Sequence, residues 1–480
     1  MKHQYELTIG LEIHTQLKTQ SKAFCADPNL FGAEPNTLVS PISLGHPGSM
    51  PVFNQKVAEL AVRLGLALEC TIRNRSFFDR KNYFYPDLPK GYQITQDQSP
   101  ICKGGQIRYR DKSGQWQTVP LNRIHIEEDA GKLVHTGSDG SSGVDLNRAG
   151  VPLLEIVTEP ALHSASDAAA CLMEVRKLVR YLGVGDGNME EGSFRCDANI
   201  SVRKNPSEPL GKKVEIKNMN SFRHVQKSIE FEYNRQVNLL EAGEEVQPET
   251  RMFDAEKGQT FALRHKESLN DYRYFPDPDL APLDLEQSFI DEIQEGMPAL
   301  PYALFHKYHS ELHLPEADAF QLTESRETVL YFEAMLQAGL PPKAAANWIN
   351  TQVRSWLNEH DSDLSSFPVS PAALSELVRL VLDGKVSHSM AVQTVFPALM
   401  ENPEADLSDL VNSLHAWVSE DASGLMMEIE KVLNAFPEKV ADYRKGKKNL
   451  LGLFMGEVRK KLPQADPKVI AQTLENALKG

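Results

Sequence analysis

Two strand-like stretches, far apart in the chain, alternate apolar with ionisable residues, and this alternation limits what the chain can fold into. Successive side chains of a strand point to opposite faces. In Leu7-Thr8-Ile9-Gly10-Leu11-Glu12-Ile13-His14, Leu7, Ile9, Leu11 and Ile13 therefore share one face, and Gly10, Glu12 and His14 share the other. In His125-Ile126-Glu127-Glu128-Asp129-Ala130-Gly131, with Ile124 before it, Ile124, Ile126 and Glu128 separate from His125, Glu127 and Asp129. A third carboxylate, Glu155, interrupts the apolar run Val151-Pro152-Leu153-Leu154-Glu155-Ile156-Val157. Burying a carboxylate is costly unless it is paired or binds a cation. Spacing alone leaves two readings open: strands with one solvated face, or a site for a divalent cation and a phosphate.

A chain of 480 residues suits two or three domains. Short Val/Ile/Leu-rich runs separated by Gly and Pro turns continue to about residue 290, among them Ile107-Arg108-Tyr109, Ala198-Asn199-Ile200-Ser201-Val202 and Lys213-Val214-Glu215-Ile216-Lys217. Helical spacing interrupts them at 57–68, 166–182 and 222–242, with Ser166 as N-cap and Gly183 as the residue past the C-terminus of the second helix. Helical segments then dominate, including 344–357 and 371–382, with proline punctuation between them. The acidic turn 401–406 opens a final segment. The expected organisation is α+β, with a mixed-sheet domain over 1–290, a helical domain over 291–405 and a small helical tail over 406–480.

No apolar run is long enough for a membrane span, and the N-terminus lacks the apolar core of a signal peptide. Five scattered cysteines form no disulfide pattern, and a cytoplasmic location is expected. A net charge of -15 argues against broad nonspecific nucleic-acid binding but allows a local basic patch. One such patch runs from Lys439 to Lys461, with eight cations against two acids. It reads either as a phosphate-backbone contact or as a solvated helix face.

Asp197 lies in Phe194-Arg195-Cys196-Asp197-Ala198-Asn199, with Arg195 and Asn199 on its own face. The segment Arg80-Lys81-Asn82-Tyr83-Phe84-Tyr85-Pro86-Asp87-Leu88-Pro89-Lys90-Gly91-Tyr92 mixes cations with aromatics, as does Asp271-Tyr272-Arg273-Tyr274-Phe275-Pro276. Either could clamp phosphate and stack on a base, or plug a core. Imidazole is an unusual ligand for Mg²⁺, and Mn²⁺ tolerates it better. No phosphate-binding P-loop occurs, and Gly183-Val184-Gly185-Asp186-Gly187 has the wrong spacing for a dinucleotide site. The serine-rich Gly137–Gly143 loop has no Lys or His framework and reads as a turn.

Together, Gly10-Leu11-Glu12-Ile13-His14, Arg80-Lys81-Asn82-Tyr83-Phe84-Tyr85-Pro86-Asp87, His125-Ile126-Glu127-Glu128-Asp129-Ala130-Gly131-Lys132, Val144-Asp145-Leu146-Asn147-Arg148-Ala149-Gly150-Val151-Pro152, Arg195-Cys196-Asp197-Ala198-Asn199 and Asp271-Tyr272-Arg273-Tyr274-Phe275-Pro276 resemble the GatB/GatE family. Its B subunits serve bacterial-type aspartyl/glutamyl-tRNA amidotransferases. The resemblance runs nearly end to end. It implies a cradle-shaped catalytic domain, a helical domain and a tail that grips tRNA. It also implies ATP-dependent phosphorylation of the side-chain carboxylate of Glu-tRNA(Gln) or Asp-tRNA(Asn), followed by amidation. The ammonia would be channelled from a glutaminase A subunit, with a C subunit bracing the pair. By the family pattern His14, Glu127 and Glu155 are expected as ligands of Mg²⁺ (Mn²⁺ as the alternative), with Glu12 beside them. Lys81 is expected as an ATP or substrate contact, Lys90 near acidic groups such as Glu127 at the mouth of the ammonia path, and Asp197 as a further nucleotide-site residue. Asp129 falls to a supporting role.

Many relatives carry a four-cysteine zinc knuckle in the early loop. Here Cys25-Ala26-Asp27 and Ser40-Pro41-Ile42-Ser43 stand in its place, so no structural zinc is expected and packing is expected to hold the loop. The competing classes are a non-catalytic tRNA-binding subunit with activation elsewhere, and a metallohydrolase using the same carboxylates.

Overall fold

The computed structural model describes residues 5–134, 141–265, 272–418, 422–462, 465 and 467–479. Most of the serine-rich loop and Asp271 lie outside this range. The chain divides into two compact units, Met1–Leu300 and Pro301–Gly480.

The first unit is built on a ten-stranded mixed sheet. Its strands, with those of a small adjoining sheet, are β1 (Glu6–Gln16), β2 (Thr71–Ile72), β3 (Asp79–Asn82), β4 (Tyr92–Thr95), β5 (Cys102–Lys103), β6 (Gln106–Arg110), β7 (Trp116–Glu128), β8 (Pro152–Thr158), β9 (Phe194–Arg203), β10 (Val214–Met219), β11 (Glu249–Asp254), β12 (Gln259–His265) and β13 (Phe275–Pro276). The large sheet runs β12-β11-β10-β9-β1-β8-β7-β5-β2, with β6 also paired to β7. Only β10 and β11 run parallel among the paired strands of this sheet.

The period-two pattern of β1 is realised as read: Leu7, Ile9, Leu11 and Ile13 are buried. Ile124 and Ile126 of β7 and Leu154 and Ile156 of β8 are buried as well. Each such side chain contributes about 1.5–3 kcal/mol on leaving water, so a one-residue slip of any of these strands is strongly disfavoured. Helices α1 (Gln55–Ala67), α2 (Ala165–Tyr181) and α3 (Phe222–Glu241) pack on the sheet. The cap of α2 is Ser164, not Ser166: Ser164 is extended and its hydroxyl accepts from Asp167 N at 3.0 Å. Ser166 instead shares a 2.9 Å hydroxyl contact with Ser164. Gly183, at φ 66°, takes the left-handed turn past the helix end.

The second unit is helical. The helix expected over 344–357 forms as Pro342–Trp348 and Arg354–Glu359, joined through a π turn at Ile349–Val353. Helices Ala422–Ala435, Pro437–Arg444, Leu451–Lys461 and Pro467–Lys479 enclose a core of their own, with Ile429, Phe454, Ile470 and Leu474 at its centre. No helix among the described residues is long and apolar enough to cross a membrane.

The loop after β1 is held by a polar knot and not by packing alone. Asp27 Oδ2 accepts from Ser40 N at 2.9 Å and from the Ser43 hydroxyl at 2.5 Å. The fully buried Lys22 ammonium lies 3.9 Å from the same oxygen and donates to Leu38 O at 2.7 Å.

Candidate active site

Strand register gathers the ionisable face. His14 stands directly opposite Arg195 on β9 and Glu155 on β8, and Glu155 stands opposite His125 on β7. Directly opposed residues on antiparallel strands project to the same side, so Arg195, His14, Glu155 and His125 form one row across four strands. Glu127 lies one step along β7 on the same face. A second row places Glu12 opposite Asp197, and a third places Asn199 opposite Glu215 of β10.

Within this face His14, Glu127 and Glu155 each offer a ligand atom, all within 4.8 Å of one another. His14 Nε2 lies 3.3 Å from Glu155 Oε2 and 3.8 Å from Glu127 Oε1. The sequence reading left His125 out of this set. The imidazole is buried, with Nε2 3.3 Å from Glu155 Oε2 and 3.7 Å from Glu127 Oε2. The alternation of β7 carried the signal, because His125 shares the Glu127 face. Burial opposes charge on His125, but Glu155 and Glu127 outweigh it and push its pKa up to about 9. The same balance lifts His14, where burial is outweighed by Glu155, Glu127 and Asp197. Burial would raise Glu155, yet His125 and His14 hold it well below the ordinary carboxylate range. The row thus sets carboxylates against imidazoles, a donor set that a divalent cation can enter once His14 is neutral.

A second trio, Glu12, Asp197 and Glu215, also brings its ligand atoms within 4.8 Å of one another. Lys217, also missed from sequence, donates to Asp197 and sits 3.0 Å from Glu215 Oε1. Asn199 Nδ2 donates to Glu12 Oε1 at 2.8 Å, and the Thr250 hydroxyl donates to Glu215 Oε2 at 3.0 Å. The β9–β10 irregularity between Cys196 and Ala198 sets this register, and nothing in the local sequence announces it.

Lys81 reaches the site from the small sheet β13-β3-β4, whose Thr95 hydroxyl donates to Glu127 Oε2 at 3.2 Å. The Lys81 ammonium stands 5.3 Å from the centre of the Tyr272 ring. Burial would lower its pKa, but Glu127, Tyr274 and Glu155 lift it. The two aromatic-cationic segments thus form one unit: β3 pairs with β13, and Tyr272 packs edge-on to Tyr83 and Tyr274. Arg80 is committed to it, with Nε 2.9 Å from Asp277 Oδ2 and its guanidinium 4.1 Å from the centre of the Tyr92 ring.

Lys90 does not face Glu127. It pairs with Glu128, whose Oε1 also accepts from Ile94 N at 2.9 Å. Adjacent strand residues point oppositely, so Lys90 belongs to the other side of β7. There Lys90, Glu128, Cys25 and Ser43 line a cavity of about 70 Å³. Asp129 acts as a clasp, accepting from Gln16 Nε2 at 2.8 Å and Arg195 Nη2 at 2.9 Å.

Residues 7–291 match the GatB/GatE catalytic domain, and residues 330–478 match the GatB domain. The chain belongs to the GatB/GatE family. It is 46% identical to the B subunit of the aspartyl/glutamyl-tRNA(Asn/Gln) amidotransferase of Geobacter sulfurreducens, covering 99% of this chain and 100% of that protein. It is 47% identical to the protein of the same description from Thermosynechococcus vestitus, covering 99% and 96% of the two chains. The family's catalytic-domain match spans every strand that contributes to the ionisable face.

Proposed function

We propose that this chain is the B subunit of an ATP-dependent aspartyl/glutamyl-tRNA(Asn/Gln) amidotransferase, working with a glutaminase A subunit and a C subunit. The observation that carries this reading is the four-strand row of Arg195, His14, Glu155 and His125, with Glu127 beside it, inside a family catalytic domain. Carboxylates repel phosphate unless a cation intervenes, so this face suits nucleotide chemistry only with a divalent ion.

His14, Glu127 and Glu155 would hold that ion. Mg²⁺ neutralises phosphate charge when bound, and the imidazole in the set also admits Mn²⁺. Lys81 supplies a fixed positive charge toward the same face. The side-chain carboxylate of the aminoacyl-tRNA attacks the γ-phosphorus of ATP, the bond to the bridging oxygen breaks, and ADP departs with that electron pair. Ammonia then attacks the acyl carbon, inorganic phosphate leaves, and a proton is released with the amide. Such a transfer needs positioning and charge neutralisation more than a covalent nucleophile. A non-catalytic role leaves the converging His14, Glu127 and Glu155 without a task.

The test is ADP release by the assembled A, B and C subunits. It should require Glu-tRNA(Gln) or Asp-tRNA(Asn), and His14→Ala or Glu127→Ala should abolish it while the far-UV spectrum is retained. Wild-type turnover in either variant refutes the assignment.

A further inference from the structure

The geometry points to Arg195 as the clamp on the transferred phosphoryl group. This rests on the phosphoryl-transfer reading above and deepens it.

The ionisable face carries few cations able to meet a phosphate. Lys217 is committed to Asp197 and Glu215. Arg148 also lies near Asp129, with Nε 3.8 Å from Oδ2, but its guanidinium is committed to backbone, donating to Ala130 O at 2.9 Å and Gly131 O at 2.6 Å. Arg123 lies at the edge of the face, 3.2 Å from Asp97 O and 3.9 Å from its carboxylate. Arg195 differs. It projects from β9 directly opposite His14, and Asp197 follows two residues later on the same face. It therefore stands beside His14 of the first set and one row from Glu12 and Asp197 of the second.

One guanidinium nitrogen, Nη2, is anchored on Asp129 at 2.9 Å. Asp129 is itself buried and fixed by Gln16. The Arg195 side chain keeps 34% of its surface open. A guanidinium has five N–H donors in a rigid plane, so the anchor leaves most of the fork available to phosphate oxygens. The anchor also fixes the plane in advance, which lowers the ordering cost of a bidentate contact. Charge spreads over the equatorial oxygens as the γ-phosphoryl passes from ADP to the carboxylate, and a preset guanidinium stabilises that state more than the ground state. Lys81 supplies a point charge from the small sheet, while Arg195 supplies the planar fork that a point charge cannot.

The experiment uses the assembled three-subunit enzyme and reads aminoacyl-tRNA-dependent ADP release. Arg195→Lys keeps charge and an anchor to Asp129 but loses the fork. It should lower kcat on the order of a hundredfold, with KM for ATP changed by less than about threefold, about 0.7 kcal/mol in affinity terms. Arg195→Ala should fall further and regain activity with added methylguanidinium. A purely structural role would give no such rescue. Arg195→Lys turning over within threefold of the wild type, or Arg195→Ala showing no rescue while its melting point is unchanged, overturns the inference. Glu127→Ala is assayed alongside. If it retains ADP release, the phosphoryl-transfer reading itself has failed; if it is inactive while Arg195→Lys is active, only the assignment of Arg195 has failed.

Discussion

The loop after β1 offers a sharp test, because one carboxylate there gathers Ser40, Ser43 and Lys22. Asp27→Ala removes the acceptor of Ser40 N at 2.9 Å and of the Ser43 hydroxyl at 2.5 Å. It also strips the Lys22 ammonium, which has no exposed surface, of the carboxylate 3.9 Å away that forms its close ion pair. Hydrogen bonds to a charged acceptor contribute about 1.5–3 kcal/mol each, and removing one member of a buried ion pair costs about 3–5 kcal/mol. These overlap, so the expected loss is about 3–5 kcal/mol and not their sum. For a unit of this size that lowers the melting temperature by on the order of 10 °C. Lys22→Met with Asp27→Asn should recover a good part of the loss, since it removes the stranded charge.

The pH dependence has a fixed sign. Burial opposes ionisation of Asp27, but Ser43, Ser40 and Lys22 outweigh it and hold the carboxyl below its ordinary value. Its contribution is therefore complete above the unfolded value of about 3.9 and fades as pH falls through the lower folded value. Lys22 runs the other way. Burial holds its pKa down, so its charge costs stability at neutral pH, and that cost shrinks as pH rises toward about 10.4. The assay is differential melting of the full-length protein between pH 3 and 8 with elemental analysis of the same sample, the range being set about the ordinary carboxylate value. A loss under about 1 kcal/mol in Asp27→Ala, or stoichiometric zinc in the wild type, refutes the reasoning.

Two further outcomes follow from the charges. Lys217→Met removes the ammonium between Asp197 and Glu215. The cation-free variant should melt lower than the wild type, and Mn²⁺ should raise its melting temperature by more than it raises that of the wild type; equal Mn²⁺ responses would count against Lys217 as an internal counter-ion. In the tail, Lys445 and Arg459 are exposed, and neither forms a close ion pair among the described residues. Lys445→Gln with Arg459→Gln should weaken tRNA binding and reduce the slope of log affinity against log salt by about 2. An unchanged slope refutes the expectation that this basic segment contacts tRNA.

What could be read from sequence, and what could not, divides along a physical line. The faces of β1 and β7 were legible because a strand alternates with period two, and the buried Leu7, Ile9, Leu11 and Ile13 leave Glu12 and His14 no choice of side. Neighbourhood was not legible. His125 and Glu155 are thirty residues apart, and only the β7–β8 register sets them opposite each other. Glu215 and Lys217 reach Asp197 through an irregular register between β9 and β10, which alternation cannot encode. Lys90 shows the same limit from the other direction. Glu127 and Glu128 are adjacent in sequence and opposite in space, so a lysine arriving from a loop could meet either, and the loop's path decides for Glu128. The knot of Asp27, Ser40, Ser43 and Lys22 has no periodicity at all. Its partners are joined by a loop whose path is set by the same hydrogen bonds that define it. Residue chemistry was thus readable wherever a repeating backbone geometry fixed its direction. Where partners met through register or loop path, the fold had to supply the second half of each pair.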